Sequence, residues 1–159
     1  MRPYHRSYKL VQISNYIKKD RVVDLKGTTK GEILAELVSV LARSMASTID
    51  PVELLRAILQ REARISTGVG VGVAIPHARL VSAKDFAIAV GRCKSGVFYE
   101  SFDEGPVYLV FLILSPTQEY GQYLNVHAKI ALLMSNEEFR NKLIQAKDAQ
   151  EIYRLMQGK

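Results

Sequence analysis

The stretch Ser66-Thr67-Gly68-Val69-Gly70-Val71-Gly72-Val73-Ala74-Ile75-Pro76-His77 decides how this chain of 159 residues is read. Positions 69, 71, 73 and 75 are β-branched and apolar, while 68, 70, 72 and 74 are glycine or alanine. At a period of two, this predicts a strand over 71–75 with one face in the core and the other almost bare backbone. Bare backbone admits close approach by another chain or by a phosphate. Pro76 is expected to end the strand and fix φ, leaving His77 exposed at its edge. The glycine spacing matches neither common nucleotide motif. The last position of a dinucleotide fingerprint falls on Val73 or Ile75, and no Gly-Lys-Ser/Thr follows.

On both sides of this stretch, helix starts alternate with short apolar runs. Thr29-Lys30-Gly31-Glu32 reads as a capping box, followed at helical spacing by Ile33, Leu34, Leu37, Val38 and Leu41. Asp50-Pro51 is a second start, with proline at the first helical position, and Leu54, Leu55, Ile58 and Leu59 form its apolar face to about Ala63. A further helix is expected over 120–134, with Leu124, Val126, Ile130, Ala131 and Leu133 in the core. Ser135 with Glu138 and Asp148 with Glu151 announce two short C-terminal helices. Strands are expected at 22–25, 71–75, 86–91 and 107–114. The last is apolar throughout, as in a strand covered on both faces. The fold class that follows is α/β: a single domain with a mixed central β-sheet flanked by helices on both faces.

Composition sets limits on function. With 48% hydrophobic and 24% charged residues, the chain is globular and long enough to bury a core. Its longest apolar run, Val107–Leu114, falls far short of the roughly 20 residues of a membrane helix. The start lacks the apolar region of a secretory signal, so no membrane insertion and a cytoplasmic location are expected. The net charge of +6 resides in residues 1–30, and the rest of the chain is balanced. A basic arm over 1–8, preceding a domain over 9–157, is read as a solvated or docking segment. No nucleic-acid role is expected, because no recognition pattern accompanies the charge.

Other chemistries are poorly supported. His5, His77 and His127 share no ligand spacing, so no metal site is expected. Cys93 is the only cysteine and sits within an apparent strand, which favours burial over reactivity. No nucleophile-elbow signature supports a serine triad.

Arg61-Glu62, Ser66-Thr67-Gly68-Val69-Gly70 and Gly72-Val73-Ala74-Ile75-Pro76-His77-Ala78 closely resemble the signature of type-2 enzyme IIA domains of the bacterial phosphotransferase system. This is the fructose–mannitol family, which includes the nitrogen-regulatory enzyme IIA. The likeness extends through Asp24 to Lys30, Gly105 to Leu114 and Glu137-Glu138-Phe139-Arg140, nearly the whole chain. It implies an enzyme IIA mannitol/fructose-like fold and a phosphoryl carrier without cofactor. His77 would accept phosphate from an HPr-like phosphocarrier protein, charged by Enzyme I from phosphoenolpyruvate. The phosphate would pass to an enzyme IIB domain of a sugar transporter, or serve as a signal to a regulatory target protein. The same resemblance makes Arg61 the guanidinium for the phosphoryl oxygens. The Thr67 hydroxyl and the backbone N–H groups of Gly68, Gly70 and Gly72 would be neutral donors.

Two departures qualify it. Relatives usually carry a second site histidine followed by leucine, where this chain has Tyr123-Leu124. Many also carry a polar residue at the position of Val71. Tyr123 can donate a hydrogen bond to phosphate but cannot become imidazolium, so the alternative is a regulatory protein-binding module with weak or no phosphotransfer. His127 lies one turn beyond Tyr123 and is expected to be structural, out of reach of His77 unless that turn moves.

Overall fold

The computed structural model describes residues 11–46, 48–101 and 103–159, so the basic arm expected over 1–8 lies outside the described residues. At its centre is β6 (Val107–Pro116), whose unbroken apolar run is buried on both faces. It pairs antiparallel with β5 (Ala87–Val97) and parallel with both β3 (Val73–Ala74) and β4 (His77–Leu80). β1 (Val22–Asp24) runs parallel to β5 on the outside, and β2 (Gly68–Gly70) runs antiparallel to β3. Among the described residues, the expected mixed sheet therefore has six strands.

Five helices of the described residues cover it: α1 (Lys30–Ser44), α2 (Pro51–Arg64), α3 (Tyr120–Ser135), α4 (Glu137–Ile144) and α5 (Ala149–Met156). The capping residues explain where they begin. The Thr29 side chain accepts from Glu32 N–H, and the Glu32 carboxylate accepts from Thr28 N–H at 2.8 Å. Asp50 accepts from Val52 N–H at 2.9 Å, and Asp148 from Glu151 N–H at 2.9 Å. For α4 the cap is Asn136 rather than Ser135. The Asn136 amide oxygen accepts from Phe139 N–H, whereas the Ser135 hydroxyl is spent on the Leu132 carbonyl.

Alternation along β6 divides the core into two layers. Val110, Leu112 and Leu114 meet α1 and α2 together with Ala78 and Leu80 of β4. Leu109, Phe111 and Ile113 face α3 and α5 with Ile88 and Val90. Because Ala78 and Leu80 face α1 and α2, strand geometry turns His77 and Arg79 to the other side, toward α3. Within α3, Val126, Ile130 and Met134 are the buried residues. Leu124 and Ala131, expected in the core, are exposed because the helix rests on its 126–130–134 stripe.

The glycine stretch is not the continuous strand that its alternation predicts. It folds into a hairpin, with φ at +84° for Gly70, +52° for Val71 and +80° for Gly72. Val69 and Val71, expected in the core, are 45% and 49% exposed. The glycines thus serve to reverse the chain. Gly68 has a separate constraint, since a Cβ there would collide with the Glu100 carbonyl oxygen. Gly68→Ala is expected to destabilise by roughly 1–3 kcal/mol through backbone displacement. Thermal denaturation tests this, and a midpoint within about 1 °C of the parent would exclude that crowding.

Pro76 does interrupt the ladder, but His77 begins β4 rather than merely following a strand end. The Pro76 carbonyl accepts from Ile113 N–H at 2.9 Å, which keeps the chain docked on β6 across the missing donor.

Candidate functional site

His77 sits where the edge strand β4 meets the C-terminal end of α2 and the first turns of α3. It is not the exposed residue that its place after Pro76 predicts: only 9% of it is accessible, because α3 closes over it. It still lines a pocket of about 450 Å³ with Gln60, Arg61, Arg64, Arg79, Tyr120 and Tyr123. The Nδ1 atom lies 2.9 Å from the Ile75 carbonyl oxygen. A carbonyl can only accept, so Nδ1 carries the proton and Nε2 keeps its lone pair. Desolvation lowers the His77 pKa, and the Arg61 charge adds to it, against the Ile75 hydrogen bond and the Glu62 charge. The imidazole is therefore neutral at physiological pH, with one nucleophilic nitrogen.

Three guanidiniums share this pocket. Arg61 lies in the last turn of α2 and donates to the Ile65 carbonyl at 2.9 Å, which holds its side chain at the rim. Arg79, two residues beyond His77 on β4, donates to the Thr117 carbonyl at 2.6 Å. Its guanidinium carbon also lies 4.8 Å from the Tyr120 ring centre and 5.4 Å from that of Tyr123. Arg64 completes the set from the last residue of α2. Arg79 and Arg64 were missed in the sequence. Reading 77–80 as a strand would have found Arg79, because alternation puts it on the same face as His77.

Tyr123 stands beside His77, its ring centre 5.6 Å away and its ring edge-on. Burial raises its pKa, so its hydroxyl remains a neutral donor. The expectation that His127 lies out of reach of His77 fails. Its ring lies 4.5 Å from His77, nearly perpendicular, and 4.6 Å from Tyr123 with no displaced turn. One helical turn separates Tyr123 from His127, and α3 is rolled so that both face β4.

Thr67 is elsewhere. It is buried, and its hydroxyl bonds to the Glu62 carboxylate and to the Tyr99 hydroxyl, the latter at 2.9 Å. Glu62 also takes Tyr99 O–H at 2.6 Å, Thr67 N–H at 3.2 Å and an ion pair with Lys30 at 2.8 Å. Desolvation works to raise the Glu62 pKa, but these donors prevail and hold it below the ordinary carboxylate value. The cluster braces the end of α2, beside Arg61, against the start of α1 and the segment that follows β5. None of Gly68, Gly70 and Gly72 lines the pocket, and at the hairpin tip Val71 N–H donates to Asp103 at 2.8 Å.

A larger cleft of about 790 Å³ runs between Arg21, Ser44, Lys84 and Gln122. Among the described residues it contains no histidine, and its one guanidinium is committed to Ser44 and the Tyr16 carbonyl. The smaller pocket has the chemistry: a neutral imidazole with a free lone pair, and cations suited to an anion with several oxygens.

Residues 15–159 match the family described as phosphoenolpyruvate-dependent sugar phosphotransferase system, EIIA 2. A nitrogen regulatory protein from Bradyrhizobium diazoefficiens is 35% identical over 132 residues, covering 83% of this chain and 85% of that protein. A fructose-specific EIIABC component from Bacillus subtilis is 34% identical over 143 residues, 89% of this chain, which spans only 22% of that relative's length. The nitrogen regulatory protein IIA-Ntr of Neisseria meningitidis superposes with a TM-score of 0.84 at 28% identity, covering 92% and 99% of the two chains. The crystal structure of mannitol IIA from Escherichia coli, at 22% identity and TM-score 0.70, has the same fold. The chain belongs to the EIIA type-2 family of the phosphoenolpyruvate-dependent sugar phosphotransferase system.

Proposed function

We propose that this domain is a phosphoryl carrier in which His77 Nε2 takes the phosphoryl group from a phosphohistidine of an HPr-like protein. The observation that carries this reading is the Nδ1–Ile75 hydrogen bond beside a pocket with three guanidiniums. The Nε2 lone pair attacks phosphorus, the donor's N–P bond breaks, and the donor imidazole leaves with the electron pair. The new ring is cationic, its proton retained on Nδ1 and donated to the Ile75 carbonyl, which keeps the adduct a good donor for the next transfer. Arg61, Arg64 and Arg79 stabilise the charge on the phosphoryl oxygens, and the Tyr123 hydroxyl adds a neutral donor. Transfer between two imidazoles exchanges like bonds, so alignment and charge dominate catalysis. With Thr67 committed to Glu62, its role in this scheme is to hold the end of α2 in place.

The next acceptor is an enzyme IIB domain or a regulatory target. Fructose-specific and nitrogen-regulatory relatives support the two routes respectively. Tyr123 at the position of the second histidine favours the regulatory one, where a slow carrier suffices. The test is incubation with purified phosphorylated HPr and mapping of the adduct by mass spectrometry. Acid-labile, alkali-stable phosphate on His77 is expected, and an unlabelled His77 overturns the reading.

A further inference from the structure

Phosphoryl transfer on His77 leaves one neighbouring titratable group unused. The His127 Nε2 atom is sealed from solvent and has no hydrogen-bond partner among the described residues. A polar atom in that position destabilises whether it carries a proton or not, since it lacks an acceptor in one case and a donor in the other. Its ring packs against His77 of β4 at 4.5 Å and against Tyr123 of its own helix at 4.6 Å. Arg61, from α2, is the remaining charge that bears on it. His127 lies outside the pocket wall, so it is reached through His77 and Tyr123.

We propose that His127 is a proton-linked positioning residue: neutral while His77 is free, it takes up one proton from solvent when His77 carries a phosphoryl group. The inference rests on the phosphoryl-carrier reading of His77. In the free protein, desolvation drives the His127 pKa down to about 4, with the neighbouring His77 and Arg61 charges acting in the same direction. A phosphoryl group on Nε2 adds a dianion while the His77 ring becomes cationic, so the site that His127 touches gains one net negative charge, which favours the protonated form. Protonation then gives the orphaned nitrogen a positive charge to set against that anion. No bond to phosphorus changes in this step, and the only atom gained is the proton. The sign follows from linkage. A group whose proton affinity rises on phosphorylation makes phosphorylation more favourable as pH falls, by up to about tenfold for each tenfold rise in that affinity. In this way the imidazolium absent from position 123 is supplied one turn further along α3.

The experiment uses the full chain labelled with ¹⁵N and phosphorylated by potassium phosphoramidate, which needs no carrier protein. Imidazole ¹⁵N resonances of His127 are followed against pH in free and phosphorylated protein, with ³¹P signals reporting the adduct. In the free protein His127 is expected to stay neutral down to about pH 5. In the phosphoprotein its titration midpoint is expected to rise by at least about one pH unit, a tenfold gain in proton affinity. A phosphohistidine signal with an unmoved His127 overturns the inference alone. Absence of any phosphohistidine, with phosphoramidate and phospho-HPr alike, overturns the carrier reading and this inference with it. The variants His127→Gln and His127→Phe provide a second arm, Phe preserving the ring volume. Both should flatten the pH dependence of phosphohistidine lifetime between about pH 5 and 8 if they remain folded. An unchanged profile in the folded variants also overturns the proposal.

Discussion

His77→Ala is expected to reduce phosphoryl acceptance from phospho-HPr by at least about a thousandfold, because the attacking lone pair is gone. Arg61→Ala should behave differently. The nucleophile remains and one of three cations is lost, so transfer should slow by roughly a hundredfold to a thousandfold rather than stop. The pair separates covalent participation from charge stabilisation. Rapid-quench measurement with ³²P-labelled carrier checks both, and circular dichroism confirms that each variant is folded. Undiminished labelling of His77→Ala would place the phosphoryl group elsewhere. An unchanged rate in Arg61→Ala would leave Arg64 and Arg79 to neutralise the charge.

The largest effect on stability is expected at Glu62. The residue is buried, and its carboxylate gathers Lys30, Thr67 and Tyr99. Glu62→Ala leaves the Lys30 ammonium with Glu100 alone and takes from the two buried hydroxyls of Thr67 and Tyr99 the carboxylate they share. Removing one member of such a cluster costs about 3–5 kcal/mol, a fall of roughly 10 °C in thermal midpoint for a domain this size. Glu62→Gln keeps the shape and one acceptor oxygen, and should lose less. The pH dependence has a definite sign. The folded-state pKa lies below the ordinary carboxylate value, so the contribution is present above that ordinary value and disappears as pH falls through the folded one. The gap between parent and Glu62→Ala should therefore narrow in acid. Calorimetry at about pH 7 and about pH 3 tests this, and a gap that widens in acid would contradict the ion-pair account.

How much of this was legible in the sequence depended on how local the cause was. Thr29 with Glu32 and Asp50 with Pro51 announce α1 and α2 because capping is settled within four residues. β6 was readable because eight apolar residues in a row need cover on both faces. The glycine stretch misled because alternation of glycine with valine suits a strand and a hairpin equally. The deciding fact, the positive φ at Val71, has no counterpart in residue type. His127 was misplaced for a similar reason. Its spacing from Tyr123 was plain, but the roll of α3 over β4 is set by the buried stripe Val126–Ile130–Met134. The Lys30–Glu62–Tyr99 cluster joins residues more than thirty positions apart, and no local pattern marks it.

The placement of β4 has a consequence for the molecule in crowded surroundings. Among the described residues this strand is bonded to β6 alone, so its outer side is a row of backbone groups able to template another chain. It is only four residues long, is preceded by Pro76, and carries the exposed cation Arg79 in its middle. Each of these discourages strand addition. An open sheet border beside a reactive side chain would otherwise invite self-association. The guanidinium that flanks His77 thus also acts as a gatekeeper against aggregation, and Arg79→Val should precipitate at concentrations where the parent chain stays dispersed, as light scattering would show.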